Sequence, residues 1–248
     1  MMEHNERYQL ALDLCARMVA KYPVIIGGVY GSTARGTDTP TSDLEMWYVV
    51  EDGCEAQGQH LIFQDTAVGY RVYQERELIE ILTNPDGRWP FHLGALEVLE
   101  VLHGDPARVR EWIDRATATP IGLFHDRLAA HLPGLVIESY GRIHSSVERG
   151  DWATAGYSLT EVLFEMRTAL CLLNKRWVTR DYDAGLLQVA AFLKVPAGYG
   201  ELVPALLAAN DLEALLPLAD RLVEGFWKLV EAEGIAVKNY QTVEEIPL

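Results

Sequence analysis

Cysteine is scarce in this chain and never paired: Cys15, Cys54 and Cys171 stand far apart among 248 residues. That excludes a disulfide framework and a structural zinc site, and predicts a reducing, cytoplasmic setting. The seven histidines form no His-x-x-x-His pair. No apolar run approaches the roughly eighteen residues of a membrane helix. The N-terminus Met1-Met2-Glu3-His4-Asn5 lacks the basic-then-apolar order of a secretion signal. Repeats and low-complexity tracts are missing too. Basic residues are in short supply: 21 Lys and Arg against 36 Asp and Glu leave a net charge of −15. Such a surface repels nucleic-acid phosphate and attracts cationic partners, and no basic, aromatic-lined groove is visible. Neither nucleic acid nor membrane is expected as a partner.

What is present is an ordinary enzyme-like mixture, 49% hydrophobic and 23% charged. Tyr8, Leu12, Cys15 and Val19 recur at helical spacing, and Pro23 closes that helix. Val24 to Tyr30 reads as a buried strand, and the loop Gly31 to Ser42 leads into a second strand from Asp43 to Val50. His60 to Phe63 and Tyr70 to Tyr73 predict an antiparallel pair, with Gly69 in the linker, followed by a helix from Glu75 to Leu82. Asp105-Pro106 is a helix-start signal. After about Pro120 the strand signals stop. Leu135 to Val147, Asp151 to Leu173, Ala184 to Lys194 and Leu212 to Glu233 carry helical periodicity, with a break or bend at Pro133-Gly134 and a kink at Pro217. The expectation is an α/β (α+β) domain with a mixed sheet over 1-120, then an all-α helical bundle over 121-248.

The chemistry-bearing stretch is Gly31-Ser32, followed eleven residues after the serine by Asp43-Leu44-Glu45. Residues two apart on a strand face the same way, about 6.5–7 Å apart. Asp43 and Glu45 therefore project together and can bind one divalent cation or bracket two, with Trp47 and Val49 continuing their row. Magnesium suits such a pair, since it takes carboxylates together with substrate phosphate oxygens. Gly31 permits a tight turn, and Ser32 offers a hydroxyl and the backbone N–H groups that follow it. A helix starting near Thr33 adds a dipole for phosphate, and Arg35, one turn on, adds a forked donor. An acidic, solvated strand end is the alternative for the two carboxylates taken alone.

This arrangement resembles the nucleotidyltransferase superfamily that includes DNA polymerase beta. The run Gly28 to Asp38, then Ser42-Asp-Leu-Glu-Met46, is similar to one branch, kanamycin nucleotidyltransferase and the aminoglycoside 4'-O-nucleotidyltransferases. Similarity continues at Phe124-His125-Asp126, Glu138 to Arg142, Val195 to Tyr199, Phe226-Trp227 and Ile246-Pro247. The resemblance implies a palm-like N-terminal domain that binds Mg-ATP and a helical C-terminal domain. It also implies a homodimer, ATP as adenylyl donor and an aminoglycoside 4'-hydroxyl as acceptor. By the same resemblance Asp43 and Glu45 hold the metal, Glu138 is the general base and Arg142 stands where the family has a phosphate-contacting lysine.

Taken by themselves, Glu138 and Arg142 read as an exposed i,i+4 pair on a helix whose buried stripe is Val136, Tyr140, Ile143 and Val147. Gly141 between them leaves room for a close approach. Glu161 and Glu165, also four apart, read as solvated surface. The chain departs from the family where another carboxylate is expected after the hairpin and Gly69-Tyr70-Arg71-Val72 stands instead. Asp65 and Glu75 are the nearest acids. A carboxylate one turn before the base is replaced by Gly134 or Leu135. Two further readings stay open: the same chemistry on another small-molecule or protein hydroxyl, and a non-catalytic antitoxin-like binding module.

Overall fold

The computed structural model of the protein describes residues 2–247, and only the backbone of Leu135 and Val136. The chain divides into two compact units, one ending at Thr119 and the other beginning at Pro120. Among the described residues no helix is long and apolar enough to cross a membrane.

The first unit opens with α1 (His4–Lys21) and β1 (Val24–Tyr30), then a single helical turn, α2 (Gly31–Ala34), and β2 (Leu44–Val50). The hairpin β3 (Gln59–Phe63) and β4 (Thr66–Gln74) follows, then α3 (Glu75–Thr83), α4 (Trp89–Glu97), β5 (Glu100–His103) and α5 (Pro106–Ala118). The strand order is β3-β4-β2-β1-β5. Only β2 and β4 run parallel; the other neighbours are antiparallel, so the sheet is mixed. β1 and β2 are rich in β-branched and aromatic residues, and β2 is buried throughout except at Glu45, the signature of a strand covered on both faces.

One sheet face packs against α1: Val29, Leu44, Met46, Tyr48 and Val68 enclose Ala11 and Cys15. Leu12, expected in that stripe, points outward at 38% exposure. The opposite face carries Trp47, whose ring meets His92 of α4. The hairpin forms as expected, but its turn lies at Gln64-Asp65, both at positive φ. Gly69 is inside β4, paired with His60. β5 escapes the periodicity argument because four residues show no alternation; its pairing to β1 defines it.

In the second unit α6 (Ile121–His131) gives way at Pro133 to a wide π turn, then to α7 (Glu138–Glu148), α8 (Trp152–Asn174), α9 (Tyr182–Val189), α10 (Tyr199–Ala208) and α11 (Leu212–Ala232). The Pro133-Gly134 discontinuity is where the sequence places it. α9 stops short of the expected Lys194, and α10 is additional, its periodicity masked by Pro204 within it. Leu163, Met166, Leu170, Leu222 and Phe226 of α8 and α11 anchor the core. Ile143 is buried, and Tyr140 and Val147 pack beside it, as the stripe of α7 requires; Val136 lies outside the described side chains.

The long loop between α2 and β2 is tied down by charge. Arg7, fully buried in α1, hydrogen-bonds Asp38 and the carbonyls of Met2 and Thr39 at 2.8 and 3.0 Å. Asp38 also meets His4 at 2.6 Å. Burial opposes ionisation of Asp38, but hydrogen bonds from His4 and Arg7 outweigh it and hold the carboxyl below its usual range. Removing one partner strands the other charge, so Arg7→Ala is expected to cost about 3–5 kcal/mol, measured as a shift in urea unfolding.

Candidate functional site

The antiparallel register pairs Tyr30 with Glu45. The Gly-Ser turn therefore leaves β1 beside the start of β2. Gly31 sits at φ +72°, and a Cβ built on it would fall 2.0 Å from Oε2 of Glu45. The carboxylate of Glu45 occupies the place of a side chain at residue 31, so any other residue would have to move that carboxylate as well as adopt a left-handed backbone. Ser32 is half-buried and its carbonyl accepts from the N–H of Thr37 at 3.0 Å. The Thr33 hydroxyl of the same turn is buried with no hydrogen-bond partner. Arg35, half-buried, ends the turn. The helix expected near Thr33 is only this one turn, so it brings no long-helix dipole; what remains is its short set of backbone N–H groups.

Asp43 lies one residue before β2 and is exposed; Glu45 is half-buried; Trp47 and Val49 are fully buried. Continuing the strand's alternation one residue outward puts the row Val49, Trp47, Glu45, Asp43 on one face, running from core to surface. Tyr30 sits against Trp47 edge-on at 5.8 Å, and its hydroxyl hydrogen-bonds both Glu45 and Arg71. Burial, foremost, and the Glu45 charge raise the Tyr30 pKa, so it stays protonated.

These donors suit magnesium: two hard carboxylate oxygen sets at the open end of a buried row, with a glycine cradle shaping one of them. No group of three or more His, Cys, Asp or Glu arranged to hold a metal ion is found among the described residues. A metal held by Asp43 and Glu45 would take its remaining ligands from substrate oxygens and water. The nearby acids weighed from sequence are elsewhere. Asp65 is in the hairpin turn. Glu75 accepts from Arg108 Nε at 2.9 Å and from Trp112 Nε1 at 3.1 Å, a structural role between α3 and α5.

In the helical unit, Glu138 and Arg142 form the salt bridge their spacing predicts, but they are not alone. Arg142 Nη1 also reaches Glu161 of α8 at 3.1 Å. The buried Ser139 hydroxyl lies 3.3 Å from both Glu161 and Glu165. Burial, with the nearby charges of Glu161 and Glu138, pushes the Glu165 carboxyl up to about 7. Glu161 and Glu165 are therefore half-buried members of a cluster, not solvated surface. Their signal was available as two acids four apart inside an otherwise apolar helix. A Cβ on Gly141 would meet nothing within 4 Å, so this face of α7 is open. Three carboxylates around one guanidinium leave a net negative patch suited to ammonium groups.

No family model matches the chain. Two curated relatives do, over nearly its full length. The aminoglycoside nucleotidyltransferases (4') of Staphylococcus aureus and of a Bacillus species are each 24% identical over 241 residues, covering 95% of this chain and 94% of the relative. The resemblance expected from the motifs is thus found by comparison. A solved nucleotidyltransferase-like protein from Exiguobacterium sibiricum 255-15 aligns over 91% of this chain and 75% of its own, at 13% identity and a TM-score of 0.49.

Two outcomes test the geometry. Gly36 is also at positive φ but in open space, so Gly36→Ala should cost only about 1–2 kcal/mol. Gly31→Ala carries the same backbone cost and must also move the end of the flexible Glu45 side chain, so it should lower unfolding free energy by at least as much. For Glu165 the folded carboxyl binds its proton more tightly than the unfolded one, so its ionisation destabilises the protein as pH rises through about 7. Glu165→Gln should therefore be more stable than the parent at pH 8.5, and the difference should shrink by pH 5, read by thermal melts.

Proposed function

We propose that the protein is an aminoglycoside nucleotidyltransferase that moves AMP from Mg-ATP to the 4'-hydroxyl of the antibiotic, releasing pyrophosphate. The observation that carries the reading is the Glu45 carboxylate seated on the bare Cα of Gly31, at the mouth of a Gly-Ser turn and two residues from Asp43. Similarity to aminoglycoside nucleotidyltransferases (4') over 95% of the chain supports the same chemistry. The net charge of −15 and the excess of acid around Arg142 favour a polycationic acceptor.

In this reading Asp43 and Glu45 hold the magnesium ion, which when bound neutralises charge on the triphosphate. Gly31 and Ser32 offer backbone N–H groups to the phosphates, and Arg35 adds a charged donor. The acceptor hydroxyl oxygen forms a bond to the α-phosphorus while the bond from that phosphorus to the α–β bridging oxygen breaks. The hydroxyl proton goes to Glu138, and pyrophosphate carries away the electron pair. Arg142 stabilises charge on the transferring phosphoryl group. The protein works as a homodimer in the cytoplasm.

The test is mass spectrometry of kanamycin, tobramycin and amikacin after incubation with Mg-ATP. An added AMP on any of them supports the reading; pyrophosphate release only with other alcohols moves the acceptor, and none at all removes the activity. Asp43→Asn or Glu45→Gln should cut transfer by about 10²-fold or more with the fold intact. Glu138→Gln should lower kcat by about 10²–10⁴-fold with little change in ATP affinity. Unchanged turnover would exclude it as the base.

A further inference from the structure

β4 brings an additional charged residue to the carboxylate face. In the parallel ladder Gly69 pairs with Glu45 and Arg71 pairs with Trp47. Paired residues share a face, so Arg71 projects from the side of the sheet that carries Glu45. Gly69 has no side chain to stand between them. The guanidinium lies 4.9 Å from the ring centre of Phe91 and hydrogen-bonds the hydroxyls of Tyr30 and Tyr73. Tyr30 in turn hydrogen-bonds Glu45, giving a chain Glu45–Tyr30–Arg71. Tyr73 is itself fixed, stacked on Trp47 at 4.8 Å and 3.2 Å from Nε2 of His92. These partners aim the guanidinium without cancelling its charge, and its buried Nε has no hydrogen-bond partner.

A half-buried cation held this way, on the sheet face that carries Glu45, suits an anion that arrives together with a metal ion. A planar fork matches phosphate oxygens better than a point charge does. The same geometry limits the metal. Paired ions some 3.5–4 Å apart need carboxylates to bridge and flank them. Here the acids number two, no third converges among the described residues, and a fixed positive charge opposes a second dication.

Resting on the nucleotidyltransferase reading, we infer that Arg71 receives the triphosphate of the nucleotide and stands in for a second metal, so that the site works with one divalent cation on Asp43 and Glu45. Arg71 is then a nucleotide-binding residue, and Tyr30 and Tyr73 are positioning residues that keep it aimed.

The experiment is a titration of the full chain with Mn2+ and a non-hydrolysable α,β-methylene ATP, followed by electron paramagnetic resonance for bound metal and by calorimetry for the nucleotide. The parent should bind one Mn2+ per chain. Arg71→Gln should weaken analogue binding at least tenfold while still binding one Mn2+, and Arg71→Lys should recover part of the loss by restoring charge without the fork. Arg71→Glu should admit a second Mn2+. Two Mn2+ on the parent, or unchanged analogue affinity in Arg71→Gln with its fold intact by circular dichroism, would overturn the inference and leave the functional reading standing. A parent that binds neither Mn2+ nor analogue would remove that reading and this inference with it.

Discussion

The contact of Glu45 with the bare backbone of Gly31 exists only in one register of β1 against β2, and that register is held by burial. Met46, Trp47, Tyr48, Val49 and Val50 of β2 are at most 1% exposed, and burying a large apolar side chain contributes about 1.5–3 kcal/mol. A slip of one residue would exchange the faces of the whole strand. Glu45 would then turn into the apolar layer under α1, and Leu44 would take its place beside the Gly-Ser turn. The hydrophobic strands thus position the carboxylates more firmly than any polar contact at the site does.

Charge is used differently in the two units. In the sheet unit, Arg71 is held by hydroxyls and an aromatic ring, so its positive charge stays available. In the helical unit, Arg142 is compensated by Glu138 and Glu161, and the surplus acid is Glu165, whose carboxyl is pushed up to about 7. One unit offers a cation on the face of the sheet that carries Glu45, suited to an anion. The other offers net negative charge, fitting a cationic acceptor. That division is the electrostatic side of the proposed transfer: a chain of net charge −15 keeps a local positive charge on its sheet unit.

The loop from Arg35 to Ser42 must be fixed for the turn and the carboxylates to stay together, and it has no regular structure of its own. Its anchor is the Arg7–Asp38 pair, with the Arg7 side chain fully buried and that of Asp38 1% exposed. A buried ion pair is a weak source of stability but a strong constraint on geometry, since either charge left alone is costly. The N-terminal helix therefore helps to hold the site in place.

Much of this was legible in the residues themselves. Val24 to Tyr30 and Leu44 to Val50 are short apolar runs between turn signals, so their strand character and the Gly-Ser turn between them follow from local chemistry. The long apolar helices after Pro120 and the break at Pro133 follow the same way, since periodicity and proline act over a few residues. Only tertiary structure could decide the rest. β5 is a strand because β1 lies beside it. Arg71 joins Glu45 through a parallel pairing between strands separated by a hairpin. Glu161 and Glu165 become half-buried because α7 packs Ser139 and Glu138 against them. In each case the deciding neighbour is distant in sequence, and burial and register, unlike propensity, exist only once the chain has folded.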